Sequence, residues 1–418
     1  MAVRDNKAFA VTARPSPYIV FRETRFFGSL DGLRAISIAG VIWVHTTIVS
    51  PYYLRFSTIP ILSKGGFGVD IFFSISGFLI TTLLLRERDT LGNISLRNFY
   101  LRRTLRIWPL YYGTLGFYVL LVLLLQRNTA RAPTFFHYLP GYLTFTYTWF
   151  AFWYASGAIF HYAWSLSVEE QFYMLWAPVM RFLSPRWPPL LVFGLILIRL
   201  STSYGLLGCV LRVQSLPWRI GANISVSICL GVLLAYILHS KRSFQVLYPI
   251  LGQKWSARAA LLLMLLCLSA GPSWWLLQTA TLFLLVGACV VRENNGLARL
   301  LQFRPVAYVG TVSYGMYMLN TLVIDGLHPV LARFGVRHPA LTFFPFLVVT
   351  VLVASLSYRY FESPFLALKT RFVRVSSTKT PLRVPTRGGV AHHFSQVVDK
   401  VFNLSLLAFL GSRPYRQE

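Results

Sequence analysis

Residues 33–50 read LRAISIAGVIWVHTTIVS, an apolar run interrupted by Arg34, His45 and small hydroxyl side chains. A helix needs about 20 mainly apolar residues to cross a hydrocarbon core, so this run predicts a membrane span carrying two ionisable groups. Similar runs recur to the end of residue 361. On length and apolarity they fall at 67–85, 108–125, 165–183, 189–208, 217–239, 258–272, 273–291, 306–327 and 341–361. The expectation is an all-α integral membrane protein, a bundle of ten transmembrane helices.

Composition supports that reading. Of 418 residues 55% are hydrophobic and 13% are charged, against about 25% charged in soluble domains. Mean hydropathy is +0.56. So few charges cannot cover the water-facing surface of a soluble chain this long.

The aromatic stretch 135–160 is harder to place. It holds Phe135, Phe136, Tyr138, Tyr142, Tyr147, Trp149, Phe152, Trp153 and Tyr154. Aromatic clusters favour the membrane–water interface, so a re-entrant or interfacial segment is expected. Were it a full span, the bundle would have eleven helices.

Charge placement discriminates between the two. The net charge is +27, with 40 Lys and Arg. With ten spans, thirty of these fall on alternate segments that include both termini. Eight fall on the other segments, and Arg34 and Arg199 lie within spans. Leaving out the termini still gives fifteen against eight. The positive-inside rule then predicts cytoplasmic N- and C-termini in a cell inner (plasma) membrane. Read this way, the basic excess records topology and calls for no nucleic-acid partner.

Three regions follow: a cytoplasmic segment 1–26, a membrane domain 27–365 and a cytoplasmic tail 366–418. Residues 1–26 lack the early apolar core of a cleavable signal. In the tail, Phe394, Val397, Val398, Val401 and Phe402 would share one face of a helix, which could lie on a membrane surface; the alternative is a tail without regular structure. Cys209, Cys229, Cys267 and Cys289 show neither a CxxC nor a metal spacing. The seventh and eighth runs meet at a Gly271-Pro272 turn signal.

Ionisable groups inside spans are costly and mark function by default. Arg34 and His45 are eleven residues apart, which brings them to one helix face about 16 Å apart along the axis. A neutral imidazole can take a proton from a hydroxyl near neutral pH. An arginine can hold a phosphate or carboxylate. The plain alternatives are a snorkelling arginine and a histidine hydrogen-bonded in the bundle.

Three further places stand out. Arg102, Arg103 and Arg106 share a helix face and suit a polyphosphate such as the head of coenzyme A, or else form an ordinary inside anchor. Ser165, Glu169 and Tyr173 are spaced by four, with Glu170 beside them. Glu169 is placed to orient a histidine, or to serve as a dipole-favoured acid at a helix start. Asp70, after Gly65-Gly66-Phe67-Gly68, is a second partner for His45 or a helix cap. Ser76-Gly77 permits close helix packing. There is no GxxxxGK[ST], HExxH or GxSxG, and the His392-His393 pair stands isolated in the tail.

At these places the chain resembles the acyltransferase-3 family of membrane O-acyltransferases. The matching stretches are LDGLRAISIAGVIWVH at 30–45, GVDIFFSISGFLI at 68–80, RRTLRIWPLYY at 102–112 and WSLSVEEQFYMLWAP at 164–178. VGTVSYGMYML at 309–319 and YRYFESPF at 358–365 follow. The resemblance implies transfer of an acyl group, usually acetyl, from cytoplasmic acyl-CoA to a hydroxyl. The acceptor would be a glycan, a glycolipid or a glycosylated small molecule, and no metal is expected. It places the base on His45, with Glu169 and Asp70 in support. The coenzyme A contacts fall on Arg34, Arg102, Arg103 and Arg106, and substrate contacts on Trp164, Ser165, Tyr173 and Tyr314. Many members carry a histidine where Asn320 stands. Some carry a fused SGNH-type domain, which the stand-alone form expected here lacks. The rival functional classes are a transporter or flippase of a polar lipid or glycan intermediate, and a membrane partner protein with a dead site.

Overall fold

A computed structural model describes residues 15–150, 159–209, 212–213, 215–270, 274–369 and 372. The expected tail helix over 394–402, the His392-His393 pair, the Gly271-Pro272 turn and Phe152, Trp153 and Tyr154 lie outside the described residues. Among those described, the regular structure is entirely helical.

The main helices are α1 (Gly28–Ile48), α2 (Phe67–Leu91), α3 (Leu96–Leu125), α4 (Arg131–Leu143), α5 (Ala163–Phe182), α6 (Trp187–Ser203), α7 (Val226–His239), α8 (Ser256–Ser269), α9 (Trp275–Val291), α10 (Arg304–Arg333) and α11 (Pro339–Ser357). A π-turn, Tyr358–Glu362, continues α11. Between α2 and α3 the chain reverses over a few residues. Gly92, at φ +69°, closes α2 in the left-handed conformation that glycine adopts without a Cβ penalty. The Ser95 side chain then accepts from the Asn98 N–H and starts α3.

Each of the ten apolar runs carries a helix. Among the described residues, three helical stretches are long and apolar enough to cross a membrane: Ile61–Leu91, Leu96–Leu125 and Pro339–Lys369. Three pairs of shorter helices pass the same test if each bent pair is one span, making up to six. These pairs bend by 66° before α1, 54° before α7 and 75° before α8. α6 and α9 are apolar but only 17 residues each, about 26 Å at 1.5 Å per residue. The stretch 135–160 holds the end of α4 and the short helix Tyr147–Phe150, neither of spanning length.

Outward faces are greasy. On α3 Phe117, Leu120, Leu124 and Leu125 are exposed, as are Leu341, Phe344 and Val348 on α11. Rows like these on a soluble protein would form a large apolar patch; hydrocarbon surroundings satisfy them.

Close glycine packing brings the central helices together. A Cβ on Gly310 of α10 would lie 2.0 Å from the Asp31 carbonyl oxygen of α1. One on Gly77 of α2 would lie 2.2 Å from the Ile228 carbonyl oxygen of α7. Both contacts require the bare backbone that small residues allow in helix bundles. They set α1 beside α10 and α2 beside α7, which places the polar side chains considered next.

Candidate active site

Helix α1 carries Arg34 and His45. His45 Nδ1 lies 2.5 Å from Asn320 Oδ1 of α10. The Asn320 side-chain amide is fully buried, and its N–H groups donate to the carbonyls of Met316 at 3.1 Å and Tyr317 at 2.6 Å. Arg34 pairs one turn back with Asp31 at 2.7 Å, and its charge also meets that of Arg106.

The first turns of α3 supply the arginine cluster, but its members are used differently. Arg102 is held on two sides. Its Nη2 pairs with Glu87 at 3.2 Å, and its Nη1 donates to the Phe372 carbonyl at 2.8 Å. Glu87, buried at the end of α2, also accepts from the Ser95 N–H at 2.9 Å. The Arg103 guanidinium lies 5.0 Å from the centre of the Tyr173 ring. Among the described residues, Arg103 and Arg106 have no ion-pair or hydrogen-bond partner, so their donors are uncommitted. Lys369, in the short helix Ser363–Lys369, interacts electrostatically with Arg34, Arg102, Arg103 and Arg106.

The two neighbouring glutamates diverge. Glu169 accepts from the Tyr173 hydroxyl at 2.7 Å, beside Arg103. Glu170 accepts from Trp108 Nε1 at 3.2 Å, and its other carboxyl oxygen is buried without a hydrogen-bond partner among the described residues. A third carboxylate, Glu362, sits at the end of the π-turn and accepts from the Ser357 hydroxyl at 3.2 Å. A Cβ on Gly315 would lie 3.1 Å from Glu362 Oε1, so a bare backbone there gives the carboxylate its place.

The other expected residues are tied into the framework. Ser165 Oγ lies 2.6 Å from the Tyr317 hydroxyl. The Tyr314 hydroxyl donates to the Ile107 carbonyl at 2.6 Å, joining α10 to α3. The Trp164 ring meets Phe73 edge-on.

Asp70 accepts from the Ser227 hydroxyl of α7 at 2.6 Å. The hydrogen-bond partner of His45 is therefore Asn320, whose Oδ1 accepts, and neither Asp70 nor Glu169 bonds the ring. The reason is where α2 begins. A Cβ on Gly68 would lie 2.3 Å from the Ser37 carbonyl oxygen, and Ser37 is eight residues before His45, about 12 Å lower on α1. Asp70 therefore starts well below the imidazole and faces α7.

Reading the sequence singled out neither His161 nor Lys369, and took Asn320 only as a departure from a pattern. His161 Nδ1 lies 3.1 Å from the Tyr147 hydroxyl, and its charge bears on His45. Burial pushes the His161 imidazole below its ordinary value. The available signal was a histidine three residues before Trp164, at the edge of a motif already marked. Among the described residues no three His, Cys, Asp or Glu side chains gather as a metal site.

A family model described as an acyltransferase domain matches residues 27–359. The chain belongs to the acyltransferase-3 family. The family match thus spans α1 to the π-turn and includes Arg34, His45, the α3 arginines and Asn320. Curated relatives agree. A Bacillus subtilis protein provisionally named a peptidoglycan O-acetyltransferase, YrhL, is 30% identical over 384 residues, covering 81% of this chain and 55% of the relative. The peptidoglycan O-acetyltransferase OatA of Listeria monocytogenes is 26% identical over 382 residues, covering 81% and 56%. A Staphylococcus aureus protein provisionally named an O-acetyltransferase is 28% identical over 372 residues, covering 82% and 58%. The chain thus spans just over half the length of these acyltransferase-3 relatives. No solved structure matches it.

Proposed function

We propose that the chain is a membrane O-acetyltransferase that moves acetyl from cytoplasmic acetyl-CoA to a hydroxyl of a glycan or glycan-bearing acceptor. One observation carries the reading: Arg34 joins the arginine cluster of α3 at one end of α1, while His45 stands on the same helix face about 16 Å away. That separation suits a donor whose phosphates bind low and whose thioester sits high. The relatives named for peptidoglycan O-acetylation support a glycan as acceptor.

The uncommitted donors of Arg103 and Arg106, with Arg34 and Lys369, would hold the coenzyme A phosphates as charge-assisted hydrogen bonds. Arg102, braced by Glu87, would add charge on one side. Glu169 would keep the Tyr173 and Arg103 side chains in place. Ser165, Tyr314 and Trp164 would shape the walls. Asp70, bonded to Ser227, lies outside the step.

His45 would take the proton of the acceptor hydroxyl as its oxygen attacks the thioester carbonyl carbon. The C–S bond would break as the tetrahedral intermediate collapses, and the imidazolium would return its proton to the coenzyme A thiolate. The charge distribution supports placing the arginine-rich end and both termini on the cytoplasmic side of the inner membrane.

Membrane vesicles from the host, which carry the native acceptor, test this with radiolabelled acetyl-CoA. Wild type should give base-labile labelled acetate, and His45→Ala should lose it by on the order of 10²-fold or more. Undiminished transfer by a His45→Ala protein present in normal amount would remove His45 from the role of base.

A further inference from the structure

Asn320, on α10, is the hydrogen-bond partner of His45. Its orientation is fixed by its own bonds. The amide N–H groups donate to the Met316 and Tyr317 carbonyls, which leaves Oδ1 as the atom facing His45 at 2.5 Å. A side-chain amide oxygen only accepts. His45 Nδ1 must therefore donate. In a neutral imidazole one ring nitrogen carries the proton and the other is bare.

We propose that Asn320 is a positioning residue that fixes the His45 tautomer, holding the proton on Nδ1 so that Nε2 is the bare nitrogen that receives the acceptor's proton. The inference rests on the reading of His45 as base.

An amide does this without adding a charge. A carboxylate in the same place would also orient the ring, but it would stabilise the protonated imidazole. The amide orients the ring and brings no charge of its own to it. Besides the charged groups at the far end of α2 already described, the ionisable groups on the surrounding elements include Lys64 just before α2, Asp70 on α2, Tyr314, Tyr317, Asp325 and His328 on α10, and His161 just before α5. Of these, His161 is the one whose charge bears on the imidazole. Asp70 is turned to Ser227, so no carboxylate hydrogen bond competes with Asn320 for the ring.

The test uses the full chain in host membrane vesicles with radiolabelled acetyl-CoA, rates being normalised to protein present. Asn320→Asp is nearly isosteric but loses the two donors to the Met316 and Tyr317 carbonyls, so its folding is checked by thermal unfolding; in the folded variant a carboxylate on Nδ1 should move the acid limb of the rate profile to higher pH by about one unit or more. Asn320→Ala should lower the maximal rate on the order of 10²-fold with the KM for acetyl-CoA within about twofold, because the phosphate end is untouched. Asn320→Gln should recover part of the loss. Should His45→Ala be inactive while Asn320→Asp keeps the wild-type pH profile and Asn320→Ala keeps its rate, the tautomer role is overturned and the base reading stands. Should His45→Ala remain active, the base reading fails, and the tautomer role with it.

Discussion

Replacing Gly231 by alanine tests the packing that sets the whole bundle. The added Cβ would lie 2.1 Å from the Ser74 carbonyl oxygen and 2.9 Å from the Phe78 nitrogen. Both are backbone atoms of α2, so no side chain can swing aside. Reaching even 3.0 Å requires α7 and α2 to separate locally by about 0.9 Å. Inserting a carbon into a packed contact of this kind costs about 1–3 kcal/mol.

Ser227 lies one turn before Gly231, so the same movement should loosen its 2.6 Å bond to Asp70. Gly116→Ala on α3 is the matched control, since nothing lies within 4 Å of its added Cβ. There the helix should gain about 0.8–1.0 kcal/mol, the ordinary difference between glycine and alanine in a helix interior. The two variants should therefore shift in opposite directions. Thermal unfolding in detergent, followed by tryptophan fluorescence, measures both. A Gly231→Ala protein that melts at or above wild type would refute the close approach of α2 and α7.

Two further outcomes are expected. Arg106→Ala should raise the KM for acetyl-CoA by tenfold or more with a smaller effect on maximal rate, because it removes binding common to ground and transition states; an unchanged KM would take Arg106 out of the phosphate site. Glu87→Gln should destabilise the protein by about 1–3 kcal/mol, since it weakens the hold on Arg102 and the Ser95 N–H together; a melting temperature equal to wild type would show that neither contact matters.

Local periodicity made part of the site legible in advance. Arg34 and His45 share a face because eleven residues are close to three helical turns, and Ser165, Glu169 and Tyr173 follow from spacing by four. These relations stay within one helix. The His45 partner did not emerge, because Asn320 is 275 positions away and nothing local to either residue pairs them.

The sequence offers Asp70 either as a partner for His45 or as a helix cap. The segment between α1 and α2 sets α2 to start beside Ser37, a tertiary fact. The spans show the same division. Hydropathy marked ten apolar runs, of which the described residues show three helices of spanning length, or up to six with bent pairs, and it does not register the bends of 54° to 75° within those three pairs.

The π-turn at Tyr358–Glu362 has a consequence for comparing sequences. Closing hydrogen bonds five residues back rather than four takes one extra residue into the turn, so everything after it is rotated relative to a continuous α-helix. Deleting one residue there would keep the helix while swinging Glu362 away from Gly315 and Lys369 away from the arginines. Relatives that lack the extra residue must be aligned with a one-position gap at this turn, or the helix faces on its two sides will be matched out of phase.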